Sequence, residues 1–239
     1  MEIELWAKGP IISYADDVFS PSMDSVLLAD FARKRIQKKA MHGIDLGCGS
    51  GIISIILAWD IAELSMVGVD IEARAAFFAQ ENARANGLSD RLSVMHCDLR
   101  MHREFFDPGS FDFAISNPPY FSMHSSKASA NKGVSTARRE ESCTLDELCA
   151  AAGYLTRRGG SFFLVYRPER LSELFSCLTN NRMEPKTLRF VHHNHESPPS
   201  LVLVESRVGG NPGLEIQAPL LTKNSDGSDT DEINAIYKR

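Results

Sequence analysis

The sequence predicts an α/β fold, a doubly wound and mostly parallel sheet, on three observations. Apolar runs of strand length alternate with helical stretches across residues 42–206, as expected when each crossover to a parallel neighbour is a helix. A glycine-rich turn, Gly47-Cys48-Gly49-Ser50-Gly51, joins the first of these runs to the helix after it. The first three strands end near the carboxylates Asp45, Asp70 and Asp98, and a fourth ends on Asn117-Pro118-Pro119-Tyr120. Open α/β sheets bind ligands at that edge, outside the carboxyl ends of the strands.

Taken in order, residues 1–40 form an opening segment with a helix over 22–38. A strand at 42–48 carries Ile44-Asp45-Leu46, and the apolar run 52–59 makes the first crossover helix. A strand at 66–71 ends on Asp70, and a helix over 72–86 stops at Gly87, a residue suited to the left-handed conformation that closes helices. The strand 92–96 runs into Cys97-Asp98-Leu99, and the strand 111–116 leads into a long loop, 121–142. Thr144-Leu145-Asp146-Glu147 is a capping box opening a helix to Arg157, ended by Gly159-Gly160. Residues 161–166 read as a buried strand, Pro168 starts a helix to about Asn180, and strands at 187–192 and 200–206 read as an antiparallel closing hairpin. The chain is thus read as one domain, with a core at 41–206 and a C-terminal extension at 207–239.

With 239 residues and 43% hydrophobic content, the chain can bury one large core. No apolar run approaches the ~18 residues of a membrane span and no charged-then-apolar leader opens it, so a cytoplasmic protein is expected. Five cysteines form no C-x-x-C pair and read as reduced thiols. A net charge of −5 does not advertise a nucleic-acid binder, so such binding needs a local patch. Lys127, Lys132, Arg138 and Arg139, beyond the fourth strand end, supply one; Arg33-Lys34-Arg35 with Lys38-Lys39 reads better as a solvated helix face.

The glycine turn has the spacing G-x-G-x-G, with Ile52 where a dinucleotide fingerprint needs its third glycine. No Gly-Lys-Ser/Thr follows, which excludes a phosphate-cradling loop of the nucleotide-hydrolase type. A turn with little side-chain bulk and Asp45 at its entrance suits a zwitterionic or cationic ligand such as S-adenosylmethionine (AdoMet). Asp70 lies 19 residues past Gly51, about where an acid holds a nucleotide ribose in doubly wound folds. In Asn117-Pro118-Pro119-Tyr120 each proline fixes its own φ and removes a donor, and the residue before each is pushed to extended geometry. The stiff turn presents an amide, a bare carbonyl and an aromatic face, which suit a planar NH2 group. His192-His193-Asn194-His195 lacks a cysteine or acidic partner at ligand spacing and reads as a surface loop, so no metal is expected. Trp6 and Trp59 read as packing, and Asp112 as solvent-facing.

Asp45-Leu46-Gly47-Cys48-Gly49-Ser50-Gly51 together with Asn117-Pro118-Pro119-Tyr120 resembles the class I AdoMet-dependent methyltransferases of exocyclic and amide nitrogens. The chain is similar, more narrowly, to the bacterial tRNA1(Val) adenine-37 N6-methyltransferase family. That likeness rests on Ser20-Pro21-Ser22-Met23-Asp24-Ser25-Val26-Leu27-Leu28-Ala29-Asp30-Phe31, on Ala137-Arg138-Arg139-Glu140 and on Arg167-Pro168-Glu169-Arg170-Leu171. It implies a single Rossmann-like domain with a seven-stranded sheet whose last strand runs antiparallel between its neighbours. For the site it implies AdoMet held by Asp45, Gly47, Cys48, Gly49, Gly51, Asp70, Ile71, Asp98, Leu99 and Asn117. Asn117, Pro118 and Tyr120 are the expected catalytic residues. Tyr120, Phe121, Lys127, Lys132, Arg138 and Arg139 are expected to meet the RNA, the anticodon region of a tRNA. Oligomeric state is left open, leaning to a monomer. Three alternatives remain: a protein-glutamine N5-methyltransferase, an rRNA base methyltransferase, and a catalytically silent AdoMet-binding scaffold. The first usually carries a helical N-terminal domain, for which the residues before the first strand here are too few.

Overall fold

A computed structural model describes residues 1–14, 22–36, 41–118 and 143–238. Strands β1 (Glu2–Glu4) and β2 (Ile11–Ser13) make a small antiparallel ribbon before helix α1 (Met23–Arg33). The core alternates as expected: β3 (Met41–Leu46), α2 (Ile52–Asp60), β4 (Leu64–Asp70), α3 (Ala73–Ala85), β5 (Leu92–His96), the short α4 (His102–Phe105) and β6 (Phe111–Ser116). Past the undescribed stretch come α5 (Leu145–Leu155), β7 (Thr156–Tyr166), α6 (Leu171–Asn180), β8 (Met183–His192) and β9 (Pro199–Val208). Two short strands, β10 (Glu215–Ile216) and β11 (Leu220–Leu221), and helix α7 (Asp231–Ile236) follow.

The strand order is β10-β8-β9-β7-β6-β3-β4-β5, with β11 also on β8. Strands β5, β4, β3, β6 and β7 are mutually parallel, and β9 is antiparallel to both β7 and β8. The seven expected strands are therefore present, with the last of them antiparallel between its neighbours. The additions are β10 and β11, both parallel to β8.

Alternation along the strands places a core on each face. Phe113, Ile115, Phe163 and Val165 face α1, α2 and α7, while Ala114, Phe162, Leu164 and Tyr166 face α5 and α6. A strand covered on both faces needs apolar residues at consecutive positions, which is why residues 162–166 form an unbroken apolar run. Among the described residues no helix is long and apolar enough to cross a membrane.

Four local expectations change. Helix α5 has its capping box, with Thr144 Oγ1 accepting from the Glu147 amide and the Glu147 carboxylate accepting from the Thr144 amide. It ends at Leu155 rather than Arg157, because Thr156 already pairs with Phe111 in the sheet and Arg157 reaches Asp112. Gly159 and Gly160 thus lie inside β7, and ladder pairing overrides a helical pattern. Strand β8 begins at Met183, earlier than expected, since a register shift between Pro185 and Thr187 accommodates the proline. Trp59 is 40% exposed whereas Trp6 is buried at 8%, so only the second is a packing residue. Asp112 is engaged rather than solvent-facing, accepting from the His42 amide at 2.8 Å and Arg157 Nε at 2.7 Å.

Candidate functional site

From β3 the chain continues to β4 on one side, while β6 lies on the other. This reversal makes the gap between the carboxyl ends of β3 and β6 a topological switch point, where open α/β sheets place their ligands. A cavity opens there, lined by residues 46–50, Asp70, Ile71, Asp98, Leu99, Asn117 and Pro118 among others.

The glycine turn forms its floor. Gly47, Gly49 and Gly51 have φ of 75°, 56° and 82°, a left-handed region that costs little only without a Cβ. The turn is strapped to β4, since the amides of Gly47 and Cys48 both donate to the Val69 carbonyl, at 2.9 and 3.0 Å. Ser116 Oγ, fully buried, donates at 2.6 Å to the Leu46 carbonyl and so ties the ends of β6 and β3 together. Buried Asn82 donates to the carbonyls of Ser50 and Ser13, linking the turn to β2 through α3.

The three carboxylates take different places. Asp70 accepts from the Gly49 amide at 2.8 Å and the Glu72 amide at 2.9 Å, so it braces the turn as well as facing the cavity. Asp98 is bound by its near neighbour: Arg100 Nε lies 3.0 Å from both of its oxygens and Nη2 2.6 Å from one. These hydrogen bonds from Arg100 hold the Asp98 carboxyl below its usual range. Asp45 is not on the cavity wall. It is fully buried against α2, where Oδ2 accepts from Ser54 Oγ at 2.8 Å and Oδ1 has no partner among the described residues.

Burial pushes the Asp45 carboxyl up to about 7, against the Ser54 hydrogen bond and with a further push from Asp70. A carboxyl whose folded pKa is raised contributes stability that is complete below its unfolded value of 3.8 and is lost as pH rises through about 7. Asp45→Asn is therefore expected to gain on the wild type between pH 5 and pH 8, by an amount on the order of a few kcal/mol. Urea denaturation at both pH values measures it; an unchanged difference would mean that Asp45 stays charged throughout.

Asn117 leaves the end of β6 with its Nδ2 donating to Ser25 Oγ at 2.9 Å. Ser25 sits in the first turn of α1, is 2% exposed and lines the same cavity. Pro118 is buried beside it. Cys143 also reaches the cavity, and burial pushes its thiol up to about 12, so it is neutral there. Tyr120, Phe121, Lys127, Lys132, Arg138 and Arg139 lie outside the described residues. Sequence reasoning missed Ser25, Ser116, Asn82 and Arg100. Of these only Arg100 had a local signal, as a base two residues after an acid at a strand end.

Away from the cavity, His192 closes β8 with Nδ1 bonded to the Ser197 carbonyl, and His193 and His195 are exposed. No cluster of three metal-ligating side chains occurs among the described residues. All five cysteines are free.

Residues 16–171 match the family model described as methyltransferase small domain. A tRNA1(Val) (adenine(37)-N6)-methyltransferase of Porphyromonas gingivalis is 29% identical over 168 residues, 70% of this chain and 65% of that protein. The protein of that description from Glaesserella parasuis is 33% identical over 142 residues, 59% of this chain and 57% of that one. The chain thus spans under two-thirds of each relative's length. Of solved structures, a predicted O-methyltransferase from Agrobacterium tumefaciens superposes with a TM-score of 0.73 at 19% identity, covering 90% of this chain and 96% of that one. At that identity the likeness is one of fold.

Proposed function

The chain belongs to the methyltransferase small domain family, and on that premise we propose that it transfers a methyl group from AdoMet to the exocyclic N6 amine of an adenine in tRNA. Adenine 37 of tRNA1(Val) is the expected position, from the descriptions of the relatives. The carrying observation is that Asn117 and Pro118 share a cavity wall with the glycine turn and Asp70.

The cavity residues fit AdoMet. A Cβ at Gly47 would project into open space, so the backbone is bare where an amino-acid end would lie against it. Asp70 offers a carboxylate for ribose hydroxyls, and Ile71, 36% exposed at the cavity, is apolar surface for a purine to cover. Asp98 would share its carboxylate between Arg100 and the adenine amine. Cys48, Gly49 and Leu99 complete the cradle, Gly51 lies behind it against Ala79 and Ile55, and Asp45 acts from beneath it by fixing β3 to α2. When bound, AdoMet supplies an electrophilic methyl on sulfur.

The chain's own residues address the acceptor. An exocyclic adenine amine is a poor nucleophile because its lone pair is delocalised into the ring. Asn117 Oδ1 and the Pro118 carbonyl accept its two hydrogens, which orients the nitrogen and favours the pyramidal geometry that frees the lone pair. On transfer the nitrogen would gain the methyl while the carbon–sulfur electron pair stays on sulfur, leaving a neutral thioether. The nitrogen would lose one proton to water, so no side-chain base is needed. Positioning then supplies much of the rate. Tyr120 and Phe121 stack on the base once it has left its own stack, as enzymes acting on bases require.

The test is transfer of labelled methyl to tRNA, with nucleoside analysis of the product in the anticodon region. Label on a release-factor glutamine and none on tRNA would overturn the reading. Lys127, Lys132, Arg138 and Arg139 are proposed phosphate contacts, so activity should fall with salt by a slope of roughly −0.7 per contact. Replacing Arg138 and Arg139 by alanine is expected to flatten that slope and leave AdoMet affinity unchanged. Salt-indifferent transfer would remove the phosphate contacts from the account.

A further inference from the structure

We propose that Ser25 is a specificity-setting positioning residue: its hydroxyl fixes which face of the Asn117 amide meets the substrate, so that the site accepts an amine and rejects a carbonyl of the same shape. The inference rests on the methyl-transfer reading above and deepens it.

The two ends of an asparagine side chain are nearly isosteric and opposite in hydrogen bonding: an oxygen that accepts and an NH2 that donates. Whichever end faces the cavity determines the partner it takes. Among the described residues, no hydrogen bond from the rest of β6 decides this for Asn117. The decision comes from 92 residues earlier, where Ser25 Oγ accepts from Asn117 Nδ2 at 2.9 Å. With one Nδ2 hydrogen donated to Ser25, the amide is turned so that Oδ1 points away from that contact and can accept from a ligand. Ser22 Oγ lies 3.4 Å from Ser25 Oγ, a contact in which either hydroxyl can donate, so the Ser25 proton has an acceptor that leaves an oxygen lone pair for Asn117.

Ser25 is well placed to impose this orientation. It is 2% exposed, and every residue from 25 to 32 of α1 is buried. The helix packs against α2, β7 and β9, so it is a fixed platform rather than a loose arm. The consequence is chemical. An adenine N6 amine donates to Oδ1, whereas hypoxanthine carries an oxygen at that place and would set two acceptors against each other. A site built around a hydrogen bond rejects an analogue that lacks it, because its own polar group is left unpaired.

The test compares short anticodon stem-loop RNAs carrying adenosine or inosine at the target position. The wild type is expected to bind the adenosine form in preference and to be competed poorly by the inosine form. In Ser25→Ala the preference should narrow about three- to tenfold, the value of one neutral hydrogen bond. Its kcat on the adenosine RNA should fall while calorimetric AdoMet affinity holds. Ser25→Thr, which restores a γ-hydroxyl, should recover both the preference and kcat. An alanine variant with the full adenosine preference overturns the proposal, and so does a threonine variant that folds and recovers neither.

A measurement without substrate separates this inference from the activity it rests on. With 15N-labelled asparagine, the Asn117 side-chain NH2 pair is identified by its loss in Asn117→Asp. Ser25→Ala should shift that pair and speed its exchange with water. An unmoved pair overturns the role of Ser25 even in an active enzyme. A wild type inactive on every adenosine RNA defeats the activity reading and leaves the amide measurement standing. If Ser25→Ala fails to fold, Ser25→Cys, whose thiol accepts only weakly, takes its place in every arm.

Discussion

Asn117→Ala is expected to lower kcat for methyl transfer by about 10²- to 10³-fold, the usual cost of removing a preorganised polar group at a reacting centre. Asn117 addresses the amine, and its other contact is to Ser25 rather than to the glycine turn. AdoMet affinity should therefore stay within a few fold, and calorimetry beside a tritium-transfer assay reads both quantities. Removal also leaves Ser25 Oγ without its donor, at modest cost in stability, since that serine keeps Ser22 within reach. A variant keeping more than a tenth of the wild-type rate would take the amide out of the mechanism.

Asp70→Ala should weaken AdoMet about 10- to 100-fold, because hydrogen bonds to a charged acceptor are worth about 1.5–3 kcal/mol. The structure sharpens the expectation. The Asp70 carboxylate also accepts from the Gly49 amide, so the substitution loosens the turn that receives the methionine end. Asp70→Asn separates the two effects. It keeps an acceptor for the Gly49 amide while losing the charge, and should fall between wild type and alanine. Equal affinity in all three proteins would mean that the ligand, or its direction in the cavity, differs from AdoMet as placed here.

The parts of the fold legible in the sequence were those whose cause is local. Gly47, Gly49 and Gly51 announce a left-handed turn by composition, and Thr144 with Glu147 announces a helix start. The alternation across 111–116 gives a strand whose limits agree with Phe111–Ser116. What was not legible depends on partners far away in the chain. The start of β7 is set by pairing of Thr156 with Phe111, and Asp112 is held by His42 and Arg157. The N-terminal ribbon is only three residues per strand, too short for a periodicity to declare itself. In the site, Asp70 and Asn117 stood out because each ends a strand. Ser25 and Ser116 could not, because a serine in a helix or strand looks the same whether its hydroxyl meets solvent or a strand end 70 or 92 residues away.

The place of β9 in the sheet bears on how the protein must be made. Strand β7, with its run of Phe162, Phe163, Leu164, Val165 and Tyr166, leaves the ribosome before residues 199–208 that will cover its outer edge. Strand β8 emerges next but cannot cover that edge, because its place is on the far side of β9. During that interval a long apolar strand offers unpaired amides and carbonyls to any neighbour, the condition under which chains join edge to edge. Nascent chains ending near residue 198 should therefore engage chaperones and precipitate, whereas chains carried beyond residue 208 should not. Released truncated chains ending at each point, compared by sedimentation, measure the difference, and equal solubility of the two would show that β7 is shielded by something other than β9.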